Sequence, residues 1–474
     1  MNTPYDTVAY PAATFPQTHP DRLALIARLH GLSAPSVEQA RVLEIGGGDG
    51  FNTIALAAAF PDARFLSFDF SAAAVARGQA LVAASGMTNV RVEQADILDI
   101  ARTVEPGGFD YVIAHGVYAW VPETVREAVM ALVGRALSDE GVFFVSYNAL
   151  PGGHIRRVMR ELLTHELAGV EGIEARMAAA RAVLDDYAKV GSDDDAVVAA
   201  IRAQAVAMLT RPDSVLFHDE LGDVFAPQSL TRTVAAAARH GLEFLDDSGK
   251  RRLGDGFLSE EAAPDADAAT AAIVRTAQSR DYAEMRFFRQ SLFVRAGRGP
   301  ARRPVHAAVG ACHAAGQFAP SDDGTIVSAD TTFALRDAGL QAWLLVLGER
   351  WPRHRLADEI ATTPERCEAL YRLFAMGLLH LSTVPPPFAL AAADTPRTSP
   401  LVLAQLALGH PAVTTLHFEK MRLEDPAARG LLACLDGTRD RAALSQAWAG
   451  LPHATGLDLE TALETIAAQR LLRC

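Results

Sequence analysis

One short segment restricts the fold of this chain more than any other: Glu44-Ile45-Gly46-Gly47-Gly48-Asp49-Gly50. An apolar run at 41–45 leads into it, and an Ala-rich segment of helical character at 51–60 follows it. Glycines at such a turn tolerate positive φ and let the backbone approach a ligand closely. Strand, glycine loop and helix in this order predict the first unit of a parallel sheet, with a ligand at the loop.

The chain beyond that loop alternates between strand and helix. Strand-like runs occur at 64–69, 90–93, 109–114 and 141–146, and a helical segment at 72–85 ends at Gly86. Strands separated by helices of roughly 10–15 residues imply right-handed crossovers and a sheet covered on both faces. The predicted fold class is therefore α/β with a Rossmann-like sheet.

Later segments extend this core. The chain is predicted to be helical from 155 to about 210, and short strands at 241–245 and 290–294 are expected to complete the same sheet. The helical stretch is then an insertion above the carboxyl edge of the sheet. Residues 297–324 mix Gly, Pro, Arg and Ala and predict a linker.

Two segments near the C-terminus share one order of elements. Residues 340–381 and 430–474 each predict a small helix-turn-helix unit, of winged type, that ends in an apolar stretch. The last helices, at 363–376 and 458–470, carry a neutral or acidic balance of charges, which would repel phosphate. We expect these units to contact protein or to support the other domains rather than to bind DNA.

Composition excludes several classes of protein. The 474 residues suffice for two to four domains, and the net charge of −13 argues against a dedicated nucleic-acid binder. No run approaches the ~20 apolar residues that span a bilayer, and the N-terminus lacks the features of a secretory signal. The four cysteines are far apart, without metal-ligand spacing. We expect a cytoplasmic protein with reduced cysteines, no membrane span and no metal site.

The carboxylates around the glycine loop indicate the kind of ligand. Asp69 follows Asp49 by 20 residues, the offset of a carboxylate that binds ribose hydroxyls. The sixth position of a dinucleotide motif is occupied by Phe51 instead of glycine, and the acids Glu44 and Asp49 would repel a diphosphate. They suit an ammonium and a sulfonium, which predicts S-adenosylmethionine. A tight turn without a ligand is the alternative, and a nicotinamide-dependent dehydrogenase is disfavoured.

Further cofactor contacts are expected at the ends of the second and third strands. Asp96 could accept from the adenine amino group while Ile97 packs on the ring; alternatively, Asp96 caps the following turn. The predicted cofactor-binding residues taken from these strand ends and the loop are Glu44, Gly46, Gly48, Asp49, Gly50, Asp69, Phe70, Asp96 and Ile97.

The candidate catalytic residues follow the fourth and fifth strands. Ligands of open parallel sheets lie beyond the strand carboxyl ends, where His115, Tyr118, Tyr147 and Asn148 are expected. Methyl transfer is an in-line displacement, so tyrosine hydroxyls, the Asn148 carbonyl and aromatic faces could stabilise the developing ammonium. His115 and His154 are alternative proton acceptors, and Trp120 is expected to be a packing residue.

These residues resemble a bacterial family: the S-adenosylmethionine-dependent protein-lysine methyltransferases that carry a methyltransferase regulatory domain and a C-terminal winged-helix domain. The resemblance lies in these segments: 10–20, the glycine loop, 115–122, 147–152, 218–221, 286–292 and 435–440. It implies a seven-stranded methyltransferase sheet and a lysine acceptor. It also implies that Gln17, Thr18 and His19 close over the cofactor.

The resulting domain scheme has six parts: a cofactor-capping segment (1–40), a methyltransferase core (41–150), a helical insertion (151–214), a regulatory segment that completes the sheet (215–297), a linker (298–338) and a winged-helix-like region of two repeats (339–474). The function that this scheme favours is methyl transfer from S-adenosylmethionine to protein lysine. Two alternatives are a methyltransferase acting on a small molecule or peptide natural product, and a non-catalytic binding protein on the same fold.

Overall fold

The computed structural model describes residues 4–189, 195–249, 266–451 and 457–474. Seven strands form one sheet in the order β3-β2-β1-β4-β5-β7-β6. Strands β1 to β5 run parallel, and β7 is antiparallel to both of its neighbours. Their bounds are β1 Arg41–Ile45, β2 Arg64–Asp69, β3 Val90–Gln94, β4 Phe109–Ala114, β5 Leu137–Asn148, β6 Leu242–Asp247 and β7 Phe288–Arg295.

The sequence predicted β1, β2 and β4 residue for residue, and the seven-stranded α/β fold class is confirmed. Strand β5 is longer than predicted, because it begins four residues earlier than 141, at Leu137. The two late strands complete the sheet as expected, and Asn148 at the end of β5 pairs with Phe288 of β7.

Helices cover both faces of the sheet. Apolar side chains of α2, α3 and α4 share one core with Val42, Tyr111 and Phe144. Those of α6, α11 and α12 share another with Leu43 and Tyr147, because successive strand residues point to opposite faces. The helices up to this point are α1 Pro4–Thr7, α2 Pro20–Leu29, α3 Phe51–Ala59, α4 Ala72–Ser85, α5 Ile97–Thr103, α6 Glu123–Ala136, α7 Gly152–Glu166, α8 Ile173–Lys189, α9 Ala196–Leu209, α10 Asp213–Leu221, α11 Leu230–Ala238 and α12 Ala266–Ala283.

The predicted helical insertion consists of α7 to α9, and α10 packs beside them. These helices have their own core, which includes Met159, Leu163, Leu184 and Leu216. The acidic run 193–195 is consistent in sequence with a helix N-terminus or a solvated loop, and Asp195 caps α9 by accepting the Val197 amide at 2.9 Å. Its neighbours Asp193 and Asp194 lie outside the described residues.

The stretch predicted to be a linker, 298–338, is folded instead. It contributes four short strands, β8 His313–Ala315, β9 Ala319–Pro320, β10 Ile326–Ser328 and β11 Thr331–Phe333. Small and aromatic side chains, such as Ala314, Ala315 and Phe318, are buried there. The glycine and proline content suggested a linker. Nothing in the sequence indicated that β8 pairs with two strands that lie later in the chain.

The two predicted C-terminal units are present. The remaining elements are α13 Ala338–Glu349, β12 Arg355–Leu356, α14 Pro364–Ala375, β13 His380–Ser382, β14 Phe388–Ala389, α15 Pro400–Ala407, β15 Ala412–Thr414, β16 Lys420–Arg422, α16 Pro426–Cys434, α17 Arg441–Ala449, α18 Leu459–Ala468 and β17 Leu472–Arg473. Each unit ends in a helix and a short strand, α14 with β13 and α18 with β17. Across the described ranges, no helix combines the length and apolar character that a bilayer crossing demands.

Candidate active site

The glycine loop is held at the carboxyl edge of the sheet by its neighbour β2. Gly46, Gly48 and Gly50 have φ of 63°, 61° and 68°, a region that side chains disfavour. The Gly46 amide donates to the Phe68 carbonyl at 2.9 Å. A Cβ placed on Gly48 would meet nothing within 4 Å, so open space lies in front of the loop.

Glu44 lies beneath the loop and is buried. Its carboxylate accepts from Asn52 Nδ2 at 2.9 Å and from the Thr53 hydroxyl. Burial raises the pKa of Glu44 to about 7 despite these hydrogen bonds. Because Asn52 and Thr53 already occupy its oxygens, Glu44 supports the start of α3 as well as supplying negative charge.

Asp69 joins the end of β2 to the glycine loop. One carboxylate oxygen accepts the Gly48 amide at 2.8 Å, and the other accepts the Ser71 amide at 2.8 Å. Asp49 accepts the Phe51 amide at 3.1 Å. Burial raises the pKa of both carboxyls. The predicted acid pair therefore flanks the open side of the loop.

The residues predicted at the adenine lie at the next strand end. Asp96 caps α5 by accepting the Leu98 amide at 2.8 Å, as the alternative prediction expected. Ile97 is half-buried, and Phe70 is 41% exposed. An exposed phenylalanine beside Asp69 and a half-buried isoleucine offer apolar surface on this side of the loop.

The N-terminal segment, residues 6–19, runs across the carboxyl edge of the sheet; we call it the N-terminal strap. Asp6 accepts the Ser71 hydroxyl at 2.7 Å near the end of β2. The Gln17 carbonyl accepts the Ser248 hydroxyl at 2.7 Å beyond β6. Sequence reasoning without the family resemblance gave no reason to place this segment there.

Asn52 binds the middle of the strap to the glycine loop. Its Oδ1 accepts the Phe15 amide at 2.9 Å, and its Nδ2 donates to Thr18 Oγ1 at 3.2 Å as well as to Glu44. The sequence analysis missed Asn52, because one polar residue in an Ala-rich helix gives no signal of such a role.

His19 faces away from this network. Its ring packs edge-on against Phe60 and Phe418, with centroids 5.6 and 5.5 Å away. Burial lowers its pKa to about 4. Thr14 donates to the Phe418 carbonyl at 2.7 Å, so the outer side of the strap contacts the C-terminal region.

His115 lies at the end of β4 against the inner side of the strap. Its Nδ1 is 2.7 Å from Ser146 Oγ, which also accepts the Gly116 amide at 2.9 Å. The Phe15 ring stacks at 4.1 Å between centroids. Burial lowers the pKa of His115 to about 4, so the imidazole is neutral near pH 7. Ser146 was not among the predicted residues.

The two tyrosines are buried in the opposite layer. Tyr118 and Tyr147 share the core formed with α6 and α11, and their ring centroids are 6.1 Å apart. The Tyr147 hydroxyl is 3.1 Å from Ser291 Oγ. Burial raises the pKa of each to about 12. The structure therefore does not bring either ring to His115.

Asn148 is the predicted residue with an open hydrogen-bonding position. It is buried at the end of β5, and its Oδ1 has no hydrogen-bond partner among the described residues. Its strand partner Phe288 is 40% exposed and stacks edge-on with His115 at 6.2 Å. Asn148, His115, Phe15 and Phe288 thus meet in one place.

Two other residues considered in the sequence lie outside this group. Trp120 packs on Phe225 at 5.3 Å and under the Arg156 guanidinium at 5.2 Å, which confirms its packing role. His154 is exposed in the first turn of α7. Within the described ranges, no group of three or more His, Cys, Asp or Glu side chains is arranged to hold a metal ion.

Three known families match different parts of the chain. Residues 36–183 match a methyltransferase domain, and 212–295 match a predicted methyltransferase regulatory domain. Residues 394–473 match the PKMT C-terminal winged-helix domain. Together with the fold, these matches define an S-adenosylmethionine-dependent methyltransferase with two accessory domains.

Two proteins of Rickettsia prowazekii are similar over long stretches. RP789 is 31% identical over 293 residues, 61% of this chain and 52% of that protein. The chain therefore spans about half the length of this relative. RP028 is 30% identical over 222 residues, 46% of this chain and 88% of that protein.

The whole fold resembles PKMT2 from Rickettsia typhi, with a TM-score of 0.78 and 21% identity over 98% of this chain and 100% of that chain. The structure of PKMT2 with AdoHcy matches with a TM-score of 0.75. The chain belongs to the family of methyltransferases in which a methyltransferase domain is joined to this regulatory domain and to the PKMT C-terminal winged-helix domain.

Proposed function

We propose that this chain transfers a methyl group from S-adenosylmethionine to lysine side chains of proteins. The observation that carries the proposal is the buried Oδ1 of Asn148, which has no hydrogen-bond partner in the part of the chain that the structure describes. A carbonyl oxygen accepts hydrogen bonds, so it suits an acceptor that brings N–H groups, as an amine does. The abbreviation PKMT denotes protein-lysine methyltransferase, and the domain match at 394–473 supports the same acceptor.

The cofactor would lie between the glycine loop and the strap. Asp69 would bind its ribose hydroxyls, and Phe70, Asp96 and Ile97 its adenine. The open space in front of Gly48 fits the methionine portion, whose cationic groups Asp49 and Glu44 would stabilise. When bound, S-adenosylmethionine supplies an electrophilic methyl group on a sulfonium. From the strap, Gln17 and Thr18 would close over this space, as the family resemblance implies, whereas the His19 ring packs on Phe60 and Phe418.

The acceptor amine would lie against Asn148, His115 and the aromatic pair Phe15 and Phe288. A lysine must be neutral to attack, and desolvation beside two phenylalanines lowers its pKa. The side-chain Oδ1 of Asn148 would orient the amine by accepting a hydrogen bond from one N–H, which leaves the lone pair of the amine for in-line attack. The phenylalanine faces would stabilise the ammonium as it forms.

His115 would line the acceptor site rather than take the proton of the amine or bind it, because an Nε2–H donor could bond only to the lone pair that attacks the methyl group. Ser146 Oγ accepts the Gly116 amide. Among the described residues, His115 Nδ1 is the acceptor available to the hydroxyl proton of Ser146. Nδ1 then accepts, and the imidazole proton is on Nε2. The Tyr118 and Tyr147 rings would support the end of β5 from the opposite layer.

A small-molecule acceptor is the second candidate function. Trans-aconitate 2-methyltransferase from Deinococcus radiodurans is 32% identical over 120 residues, 25% of this chain and 41% of that protein. An acceptor carboxylate would gain nothing from the Asn148 carbonyl, since both are hydrogen-bond acceptors. We therefore favour the amine.

The chain itself allows a clean test, because its only lysines are Lys189, Lys250 and Lys420. Replacing all three with arginine gives an enzyme with no acceptor lysine of its own. This enzyme is incubated with radiolabelled S-adenosylmethionine and a bacterial lysate, and labelled protein is hydrolysed in acid. Labelled methyl-lysine would support the proposal. The control is the lysine-free enzyme that also carries Asp69→Ala, with which no labelled methyl-lysine is expected.

Other outcomes separate the alternatives. Label confined to the soluble fraction would favour a small-molecule acceptor. If the chain binds S-adenosylmethionine but transfers no methyl group in lysates of several bacteria, a non-catalytic binding protein would be favoured.

A further inference from the structure

Three exposed apolar side chains lie next to the proposed acceptor site. Tyr282 is 61%, Met285 39% and Phe288 40% exposed. They follow one another from the last turn of α12 to the first residue of β7. We call this group the apolar rim.

The backbone of the apolar rim is fixed to the end of β5. The Ala149 amide donates to the Phe287 carbonyl at 2.9 Å, and the Gly152 amide donates to the Arg286 carbonyl at 3.1 Å. A Cβ on Gly152 would lie 2.6 Å from that carbonyl oxygen, so the close approach requires glycine. The rim therefore has a defined position beside Asn148.

Met285 adopts a backbone conformation that its side chain disfavours. Its φ is 49°, in the left-handed region, which is strained for a residue with a side chain. Asparagine or glycine would occupy this position with less strain. Strain of this kind is common where a residue serves a binding site. An exposed methionine kept here points to contact with a partner.

The charged groups beside the rim are paired with one another. Arg286 pairs with Asp281 at 2.9 Å and with Glu284 at 2.8 Å. Arg289 pairs with Asp281 at 2.7 Å and also with Asp247. The rim therefore offers a partner apolar contact rather than a strong electric field.

The length of a lysine side chain limits what can cover this surface. Its four methylenes place Nζ on the order of 6 Å from its Cα. A lysine that reaches Asn148 must therefore bring the backbone of its own chain, with the flanking residues, over the rim. We propose that Tyr282 and Met285, with Phe288, dock the apolar residues that flank the target lysine in a polypeptide substrate, an inference that rests on the proposed function.

The test compares two double variants of the full chain. Tyr282→Glu with Met285→Asn removes the apolar surface and relieves the strained backbone, so folding is preserved. Val197→Glu with Val206→Asn is the matched control, because these valines are 68% and 50% exposed on helix α9, outside the rim. Each enzyme is assayed with peptides in which one lysine is flanked by Leu and Phe, or by Ser and Asn.

The wild type and the control are expected to prefer the apolar-flanked peptide by about tenfold or more in kcat/KM, as burial of one or two apolar side chains predicts. The rim variant is expected to lose this preference while its affinity for S-adenosylmethionine stays the same. Equal use of both peptides by the wild type, or an unchanged preference in the rim variant, would overturn the docking surface alone. Cofactor binding without methylation of any lysine substrate, peptide or protein, would overturn the proposed function and this inference with it.

Discussion

Ser146 Oγ lies 2.7 Å from His115 Nδ1 and accepts the Gly116 amide at the same time. This pair connects the ends of the adjacent strands β4 and β5. It determines which imidazole nitrogen carries the proton, and so whether His115 can donate or accept toward a substrate. In the tautomer proposed above, with Ser146 donating to Nδ1, His115 would present a hydrogen-bond donor at Nε2 rather than a base.

Ser146→Ala should release the His115 ring. Without the hydroxyl donor, Nδ1 loses its partner and the two neutral tautomers become mixed. We expect kcat to fall by about tenfold with an unchanged affinity for the cofactor, as for the loss of one positioning hydrogen bond. Nitrogen chemical shifts of His115 measured by NMR at pH 7 report the tautomer directly.

The matched control is Ser138→Ala, at the other end of β5, where the hydroxyl donates to Asp110 at 3.0 Å. A His115 spectrum in Ser146→Ala identical to that of the wild type would contradict the tautomer assignment.

Asp69→Ala should weaken cofactor binding. The change removes a half-buried carboxylate that would accept two ribose hydroxyls and that orders the Gly48 and Ser71 amides. Charged hydrogen bonds of this kind predict a rise in Kd of at least about tenfold. Isothermal titration with S-adenosylmethionine measures it. Asp99→Ala, an exposed carboxylate paired with Arg102, should leave Kd unchanged; equal effects of the two substitutions would argue against the assigned ribose contact.

Glu44→Gln should change how stability depends on pH. The pKa of Glu44 is raised from 4.5 to about 7 in the folded protein, so the folded state holds this proton more tightly than the unfolded state. The free energy of unfolding is therefore expected to fall as pH rises from about 4.5 to about 7, and to lose this dependence above 7. The amide of glutamine does not titrate, so the variant lacks this contribution.

Between pH 4.5 and pH 7.5 the wild type should lose stability relative to Glu44→Gln. The expected loss in its free energy of unfolding is on the order of 3 kcal/mol. Urea denaturation at several pH values in that range measures it. Parallel curves for the two proteins would mean that Glu44 has an ordinary pKa.

Thr14→Val should reveal whether the C-terminal region stabilises the strap. The substitution keeps the shape of the side chain and removes the donor to the Phe418 carbonyl. We expect loss of about 1 kcal/mol from the local stability of the strap. Faster hydrogen exchange at residues 14–18, with unchanged exchange in β1, would show it.

Thr103→Val is a suitable comparison, since that hydroxyl donates only to the Asp99 carbonyl within its own helix. Exchange in the strap of Thr14→Val at the wild-type rate would show that Phe418 does not contribute to holding it.

Local sequence signals determined the sheet and the glycine loop. Strands β1, β2 and β4 could be bounded to the residue, because each is a short apolar run that ends at a polar residue or a glycine. The position of Asp69 relative to Gly48 followed for the same reason, since a parallel strand pair brings the two strand ends to one edge. The prediction of a linker at 298–338 was wrong, because β9, β10 and β11 form a small sheet there and β8 pairs with β12 and β13 later in the chain.

Tertiary structure alone decided which polar residues meet. Tyr147 and Asn148 are adjacent in the sequence, yet alternation along β5 puts the tyrosine in one layer and leaves Oδ1 of Asn148 on the other face, without a hydrogen-bond partner among the described residues. His19 and Thr18 are adjacent too, but the His19 ring packs on Phe418, whereas the Thr18 hydroxyl accepts a hydrogen bond from Asn52. Sequence determines which chemistry is present near the edge of the sheet, whereas the packing of distant segments, the strap, β7 and the C-terminal region, determines which of those groups face each other.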